Sequence, residues 1–424
     1  MKWRVVLFAL ISGACSASQS ACEGAEPTWA RAEGTRATLA TVDDGDVVVL
    51  GSTTVLRIGP DGTTRWSRDF GAALAAASAD VIVVAGHFTP SLDVDDVHLT
   101  TSVTDASGGA GFVVRFSPDG TASVGIALDT LDPRSLAVTS EGTVLVAGWQ
   151  PGSLDLGTGP LAAGGGLALV ALNMEAGTPH VLWAHDLAQV GTDGSSAAVA
   201  ADHDTALVAF SLEGSADLDG HPLTSAGASD VAIARVDATG TVIASARFGG
   251  AGDDAHAGYD GDPLGLAVSH DGQTIAISTT ARTDTDYGDG LHVAPGDGDA
   301  ALLVLGPTLS LRFSRVYGGE GFDAPSSVAI GEDGSIAMVG TSSSVATDGP
   351  FACAAEAAMP IVVVGGDGAL HAWDCERSAG FVAGLALDLT ADGVIVAGFG
   401  GPLETLDLAE SAGGFVASFR LDCR

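Results

Sequence analysis

The feature that most restricts the fold of this chain is a unit of two apolar strands that occurs seven times. In each copy an apolar strand leads through a turn rich in acids and glycine into a second strand that ends in a small residue. The copies begin at Leu39, Leu74, Leu136, Ala197, Leu266, Val328 and Leu385. Self-similarity at a regular interval is typical of repeat architectures, in which each unit packs against its neighbours.

A third apolar strand follows each copy, and all but the last lead through a turn into a fourth strand. The third strands begin at Thr54, Phe112, Ala168, Val231, Ala301, Ile361 and Phe415. Asp-Gly and similar pairs at the turns permit the positive φ angles of tight hairpins. Second strands such as VLVAG, from Val144, are apolar on both faces, as in a sheet packed between two others. The pattern predicts an all-β, seven-bladed β-propeller with four-stranded antiparallel blades.

The two ends of the chain favour a closed ring. The seventh unit stops at Arg424 after its third strand, while the stretch PTWARAEG from Pro27 resembles a fourth strand at the wrong end. We therefore predict that Trp29 to Arg31 pairs with the segment from Phe415 to Leu421 and closes the ring. A long solenoid is the alternative, but its polar capping repeats are not found in the sequence.

The cysteines fit a closed ring in an oxidising compartment. Processing of the leader removes Cys15 from disulfide pairing, and the four other cysteines allow three pairings. Closure of the ring brings Cys22 near Cys423, while Cys353 and Cys375 both fall in the sixth unit. These two disulfides are therefore predicted. No cysteine or histidine spacing in the sequence is typical of zinc.

The N-terminus predicts export. Basic Lys2 and Arg4 precede an apolar run, Val5 to Ile11, which is too short to span a bilayer and is typical of a signal peptide. The small residues that follow resemble a bacterial lipoprotein signal, in which Cys15 is lipidated and becomes the new N-terminus. Ser12 departs from that pattern, because leucine or valine is usual at its position.

The leader also sets the expected domain organisation and localisation. We expect residues 1–14 to form the signal peptide, 15–28 a linker and 29–424 a single propeller. The protein is then a lipoprotein of the outer membrane or cell surface, attached to the membrane only through its lipid anchor. Ordinary cleavage near Ala17 or Ser18 is the alternative, and it gives a periplasmic or secreted protein.

The charge balance excludes one class of partner. Acidic residues outnumber basic ones 53 to 17, and the formal net charge is −36. Such a surface repels nucleic acid and lacks the basic patch that phosphate binding needs. Because the acids are dispersed through turns, they indicate a solvated surface and not a disordered tail.

Two stretches resemble the bacterial seven-bladed propeller repeat, a motif of secreted proteins. They are FGGAGDDAHAGYDGDPLGLAVSHDGQ from Phe248 and ADLDGHPLTSAGASDVAIARVDATGTV from Ala216. The resemblance covers most of residues 29–424, although each copy is degenerate and the first lacks the long loop. The lysine of the family's third strand is absent or replaced, for example by Arg115 or Arg235. The family is defined by fold and location, so the resemblance implies no particular activity.

Two acidic groups are candidate metal sites. Asp253, Asp254 and His256 belong to the densest acid and histidine group in the chain, in a loop between units, where a metal or a general base is one interpretation. Asp284, Asp286 and Asp289 in TDTDYGDG begin like a calcium loop but depart from its spacing and lack its distal glutamate. A solvated acidic loop is the alternative in both places. Recurrent aspartates after the second strand indicate turn capping; they are Asp93, Asp155, Asp217 and Asp407.

No strong catalytic motif accompanies these acids. The sequence lacks the serine-hydrolase elbow, the zinc-protease helix motif, the phosphate-binding loop and the dinucleotide fingerprint. We therefore expect a non-enzymatic binding or scaffold module of the cell envelope, with a protein or glycan partner. Trp149 is the candidate for stacking on a glycan, and the alternative role for its side chain is packing between blades. A hydrolase or lyase with an acid and histidine site on the channel rim, and a calcium-dependent structural surface protein, are the alternatives.

Overall fold

The computed structural model describes the greater part of the chain. The described residues are 22–23, 26–32, 38–42, 45–51, 53–78, 81–103, 109–161, 165–175, 177–188, 197–255, 264–343, 350–351, 353, 355, 357–378, 381–390, 393–401 and 413–420. Their regular secondary structure is entirely β, and within these ranges no helix has the length and hydropathy to cross a membrane.

The strands form seven four-stranded antiparallel sheets, the blades of a β-propeller, as the repeats predict. The N-terminal strands are β1 (Cys22–Glu23) and β2 (Glu26–Ala32). Blade 1 contains β3 (Thr38–Thr41), β4 (Val47–Leu50), β5 (Thr54–Ile58) and β6 (Thr64–Asp69). Blade 2 contains β7 (Leu74–Ser78), β8 (Val81–Phe88), then a hairpin of β9 (Ser91–Val94) and β10 (Val97–Thr100), then β11 (Ala110–Phe116) and β12 (Ala122–Ala127). Blade 3 contains β13 (Asp132–Val138), β14 (Thr143–Gln150), β15 (Gly166–Asn173) and β16 (His180–Ala188).

Two of the remaining four blades also carry a hairpin between their second and third strands. Blade 4 contains β17 (Ala197–Asp202), β18 (Thr205–Leu212), the hairpin β19 (Ser215–Leu218) and β20 (His221–Thr224), then β21 (Asp230–Val236) and β22 (Val242–Phe248). Blade 5 contains β23 (Gly265–Val268), β24 (Ile275–Ala281), the hairpin β25 (Thr285–Asp286) and β26 (Leu291–His292), then β27 (Asp299–Leu305) and β28 (Leu311–Tyr317). Blade 6 contains β29 (Asp323–Ile330), β30 (Ile336–Ser342), β31 (Ala358–Val364) and β32 (Leu370–Arg377). Blade 7 contains β33 (Val382–Thr390), β34 (Gly393–Gly400), β35 (Gly413–Arg420) and the N-terminal β2.

The ring closes as the chain ends predict. Strand β2 pairs antiparallel with β35, with Trp29 opposite Ser418 and Arg31 opposite Val416. The first strands of neighbouring blades also contact one another in an unbroken cycle, β3 to β7, β13, β17, β23, β29, β33 and back to β3. The first strand of every blade is therefore innermost, and the fourth lies at the perimeter.

The hydrophobic core is divided among the blade junctions. Each of the seven junctions has its own cluster of buried apolar side chains. At the junction that closes the ring, Val47 and Val49 of blade 1 pack with Ile395 and Ala397 of blade 7. This explains the strands that are apolar on both faces, because each sheet packs against two neighbours.

A recurring aromatic contact joins outer strands to the next blade. The indole Nε1 atoms of Trp29, Trp66 and Trp183 donate hydrogen bonds to the carbonyl oxygens of Pro60, Pro118 and Ala238, each at 3.0 Å. A Cβ atom on Gly120 would lie 2.5 Å from Cδ2 of Trp66, so glycine is required there for the ring to approach. Since Trp29 belongs to blade 7 and Pro60 to blade 1, the same contact reinforces the closure.

The cysteines of blade 6 pair as predicted. Cys353 and Cys375 form a disulfide whose Cα atoms are 5.7 Å apart, and it joins the loop after β30 to the outer strand β32. Cys423 lies outside the described residues, so its pairing with Cys22 stays a prediction. The backbone of Cys22 lies in β1, which adds to the outer edge of β32 as a parallel fifth strand. The strands thus begin closer to the N-terminus than residue 29.

Candidate functional site

Two acidic groups that are separate in the sequence meet where blade 4 joins blade 5. The Tyr287 hydroxyl donates to the carbonyl oxygen of Asp254 at 3.1 Å, and the Arg282 amide donates to that of Asp253 at 3.1 Å. The loop after β22 therefore lies against the β25–β26 hairpin. His256 lies outside the described residues, so its predicted part in this site is still a prediction.

Buried carboxylates form the base of this site. The side chains of Asp230 and Asp254 are fully buried. Asp230 accepts hydrogen bonds from the Ala226 amide at 2.6 Å and from the Arg247 guanidinium at 2.8 Å. Asp254 accepts one from the Gly250 amide at 2.5 Å. Each carboxylate thus fixes a backbone turn, and among the described residues none donates a hydrogen bond within normal distance to the remaining oxygen, Oδ1, of either one.

Gly249 lies between the two carboxylates. A Cβ atom at this position would be 2.2 Å from Oδ1 of Asp230 and 3.1 Å from Oδ2 of Asp254. The glycine also has a φ of 140°, which other residues rarely adopt. Both reasons explain the glycine at position 249, and the two distances place both acids within contact distance of one point.

Burial shifts the pKa values of two side chains at the bottom of this site. It raises the pKa of the Asp254 carboxyl, and the nearby carboxylates of Asp230 and Asp253 act in the same direction. Burial also raises the pKa of the Tyr287 hydroxyl well above its usual value, so this group stays a neutral donor. Asp254 therefore takes up a proton more readily than an exposed aspartate does.

The aspartates of the predicted calcium loop are engaged with their own hairpin. Asp286 accepts hydrogen bonds from the amides of Gly288 and Gly290, at 2.8 and 3.0 Å, and Asp284 accepts one from the Ala294 amide at 3.0 Å. In the described part of the chain, no three histidine, cysteine, aspartate or glutamate side chains are grouped so that they could hold a metal ion. Metal binding by the predicted residues, His256 included, stays a prediction.

A serine, histidine and aspartate that the sequence did not bring together meet on the outer strand of blade 5. The Ser314 hydroxyl lies 2.7 Å from Nε2 of His292 and 2.6 Å from Oδ1 of Asp289. In a catalytic triad the acid contacts Nδ1 of the histidine, whereas Asp289 contacts Nε2 at 3.1 Å. Ser314 is also fully buried, so a substrate could not reach it. The group attaches the hairpin to β28.

Electrostatics supports this structural role for Asp289. Burial opposes its ionisation, but the hydroxyl and amide of Ser314 and the ring of His292 hold its pKa below the usual value. The other two hairpins are attached in the same way. Asp95 accepts a hydrogen bond from the Ala122 amide of β12, and Asp219 accepts one from an amide of β22. An aspartate at the hairpin turn thus satisfies a backbone donor of the outer strand.

Two of the recurrent aspartates of these loops cap turns, as predicted. Asp155 accepts from the amides of Gly157 and Gly159, and Asp217 accepts from that of Gly220. Asp93 instead contacts Nδ1 of His98 across its hairpin at 2.8 Å. Asp407 lies outside the described residues.

The hairpin of blade 5 also presents apolar side chains to solvent. Leu291 is 69% exposed and Val293 65%, more than any other large apolar side chain described. In the hairpin of blade 4 the strand register places Pro222 and Thr224 at these positions. Trp149, the predicted candidate for glycan stacking, packs instead against the core between blades 3 and 4. The hairpin of blade 5 therefore has an exposed apolar pair, Leu291 and Val293, that the hairpin of blade 4 lacks.

Comparison with known proteins gives distant structural likenesses. No protein-family model matches the chain, and no curated protein matches its sequence. Among solved structures, the WD40 β-propeller domain of Doa1 is 13% identical, with 93% of this chain and 96% of that chain covered and a TM-score of 0.48. The Pan2 WD40 domain of Neurospora crassa is 12% identical, with coverages of 91% and 89% and a TM-score of 0.46. BamB from Moraxella catarrhalis is 11% identical, with coverages of 94% and 96% and a TM-score of 0.41. Such distant likeness carries no argument about function.

Proposed function

We propose that this protein is an exported, non-enzymatic binding module of the bacterial cell envelope that contacts a partner protein through the hairpin of blade 5. The observation that carries the proposal is the exposure of Leu291 and Val293 on that hairpin. Exposed apolar side chains placed together on a polar surface mark sites of protein interaction. Exposed Asp284 and Asp286 surround the pair and give the surface a polar rim.

The base beneath the hairpin supports this interpretation. Tyr287 is buried and bonded to the loop at Asp254, and Asp289 is bonded to β28. These contacts hold the hairpin in one position before a partner arrives. A rigid surface binds more tightly than a mobile one, because less conformational freedom is lost on binding.

The proposed location rests on the leader. Residues 1–14 have the pattern of a signal peptide, and lipidation of Cys15 would attach the propeller to a membrane surface. The repeat resemblance supports the same compartment, because the family consists of secreted proteins. The mass of the mature N-terminal peptide distinguishes lipidation at Cys15 from cleavage near Ala17.

Site-specific photo-crosslinking tests the binding surface. A photoreactive amino acid at Val293 should give a discrete crosslinked product in cell-envelope fractions, while the same probe at Thr224, on the hairpin of blade 4, should give none. The product should disappear when Leu291→Ser is added. Equal products from the two hairpins, or none from Val293, would overturn the proposal. Thermal unfolding of the Leu291→Ser variant should match that of the parent, since the side chain is exposed.

A further inference from the structure

The outer strands of the blades differ in how the chain covers them. An exposed edge strand presents unpaired backbone donors and acceptors that can pair with another chain, and proteins usually block it. In blade 6, β1 pairs with the outer strand β32. In blades 2, 4 and 5 a hairpin contacts the outer strand, and its turn aspartate accepts a backbone hydrogen bond from it. Four outer strands are thus covered by the chain itself.

Among the described residues, blade 1 has no such cover. Its second strand ends at Leu50 and its third begins at Thr54, so the connection is too short to form a hairpin. The sheet order ends at β6, and among the described residues none pairs with the outer side of this strand. In the part of the chain that the structure describes, the outer edge of β6 is therefore not paired.

Two arginines lie on this edge in an acidic protein, and the covered outer strand β28 carries an equivalent pair, Arg312 and Arg315. The Arg65 and Arg68 side chains of β6 are 46% and 32% exposed. Arg65 lies 3.5 Å from Asp46 and 3.8 Å from Asp61, and Arg68 lies 3.9 Å from Asp95. Long ion pairs at a surface contribute little, about 0–1 kcal/mol. Arg65 also donates a hydrogen bond to the Thr63 hydroxyl at 3.2 Å, and Arg68 donates one to the carbonyl oxygen of Ser67 at 3.0 Å. Because all these contacts are at the surface, the carboxylates and backbone of a ligand can replace them.

We propose that the outer edge of blade 1 binds an extended acidic segment of a partner protein, which adds to β6 as a fifth strand. The molecule already shows this arrangement in blade 6, where β1 occupies the edge. The segment that contains β1 reads CEGAE from Cys22, so its sequence is also acidic. Backbone pairing supplies the affinity in such complexes, and the side chains beside the edge select the sequence.

A second copy of the chain is the less suitable occupant. Pairing β6 with β6 of another molecule would bring Arg65 and Arg68 close to the same arginines of that copy, and like charges across paired strands are destabilising. The proposal adds a second surface to the proposed binding module. It does not depend on the hairpin of blade 5, which lies on a different blade.

Peptide binding tests this proposal. The probe is a fluorescent peptide that alternates glutamate with valine, and its anisotropy reports binding to the full propeller. The same peptide with alternate backbone nitrogens methylated should bind about tenfold more weakly or not at all, because it cannot complete the strand pairing. Hydrogen exchange of the amides of residues 64–69 should slow when the unmethylated peptide is added.

Matched variants separate charge from pairing. The double variant Arg65→Glu and Arg68→Glu should weaken binding about tenfold, while Arg312→Glu, on the covered outer strand β28, should leave it unchanged. Leu291→Ser should also leave it unchanged, so failure here is distinct from failure of the blade 5 surface. Equal binding of the methylated peptide, or protection of amides outside β6 only, would overturn the proposal. So would self-association of the protein that protects residues 64–69 without peptide.

Discussion

The junction of blades 4 and 5 and the junction of blades 5 and 6 each contain two buried aspartates at equivalent positions. The two junctions compensate the negative charge of these aspartates differently. Asp230 and Asp254 serve the first junction, and Asp299 and Asp323 serve the second. Asp254 and Asp323 each accept a hydrogen bond from a glycine amide four residues earlier, at 2.5 and 2.8 Å. A parallel bridge joins each pair of loops. Both junctions therefore have the same backbone arrangement, as expected for equivalent positions of a repeat.

One difference lies on the fourth strand. Arg247 stands opposite Ala232 and bonds to Asp230, whereas the equivalent residue opposite Ala301 is Val316. Burial raises the pKa of Asp299 to about 6; the Gly296 amide opposes the rise and the Asp323 carboxylate adds to it. A buried carboxylate is costly unless it is paired. The comparison indicates that the repeat fixes the backbone geometry of both junctions, while the residue at this position of the fourth strand decides whether a cation compensates the buried acid.

The largest expected effect is loss of the arginine from the first junction. Arg247→Met keeps the apolar stem but removes the cation that lies 2.8 Å from the fully buried Asp230. Removal of one partner from a buried ion pair typically costs about 3–5 kcal/mol. We expect the free energy of unfolding, measured by urea titration at pH 7.5, to fall by about 3 kcal/mol.

A double variant checks that this loss comes from the uncompensated charge. In the Arg247→Met protein, Asp230→Asn removes the charge left behind and should restore part of the stability. A double-mutant cycle measures the coupling between the two side chains. About 1 kcal/mol is the upper limit for an exposed ion pair. If Arg247→Met lowers the free energy of unfolding by less than this, the two junctions do not differ in this way.

The second effect is a gain of stability at neutral pH from Asp299→Asn. The pKa of Asp299 is raised from 3.8 to about 6 in the folded protein. Its contribution to stability is therefore greatest below pH 4 and is lost as pH rises through 6. Asparagine does not ionise, so the Asp299→Asn variant does not lose stability in this way. Its free energy of unfolding relative to the parent should therefore increase by about 2 kcal/mol between pH 4.5 and 7.5.

A matched variant isolates the buried group. Asp297 is exposed on the same loop, so Asp297→Asn changes the net charge equally without changing a buried carboxyl. Its stability relative to the parent should not depend on pH. If Asp299→Asn shows the same small change at both pH values, the carboxylate of the second junction is compensated and the comparison is wrong.

The sequence predicts the fold far better than it predicts the site. Apolar strands and Asp-Gly turns are local signals, so the blades could be counted, and the leftover strand around Trp29 identified the closure. The pairing of β1 with β32 was not predicted, because two residues are too few for a pattern. The turn roles of Asp155 and Asp217 were predicted, since such capping is a local interaction.

The site required contacts that no local pattern contains. Asp254 and Tyr287 are well separated in the sequence, and only the packing of blade 5 on blade 4 joins them. The same holds for Ser314 and His292, which belong to different strands of one blade. The TDTDYGDG stretch, interpreted as a calcium-like or acidic loop, contains strand β25 and the turn of a β-hairpin, and metal binding there stays a prediction. The sequence does carry one signal of the two junctions: a Gly-Gly pair begins five residues before an aspartate both at Gly249 and at Gly318.

The smallest effect should come from making the second junction resemble the first. Val316→Arg places a guanidinium at the position that Arg247 occupies, within reach of Asp299, and should lower the pKa of that carboxyl. A fall of one unit corresponds to about 1.4 kcal/mol at neutral pH. Lost packing of Val316 against the core of the 4–5 junction offsets part of this gain, so we expect a net increase of about 0.5–1 kcal/mol.

The pH dependence gives this smallest prediction its specificity. The stability gained by Val316→Arg should appear at pH 7.5 and vanish at pH 4.5, where Asp299 is protonated in the folded protein. Val316→Met, which is long but uncharged, should show no such difference. The gain should also disappear when Asp299→Asn is present, because the arginine then has no carboxylate to compensate. Equal gains from arginine and methionine would mean that position 316 acts through packing, and the two junctions would then differ in shape and not in charge.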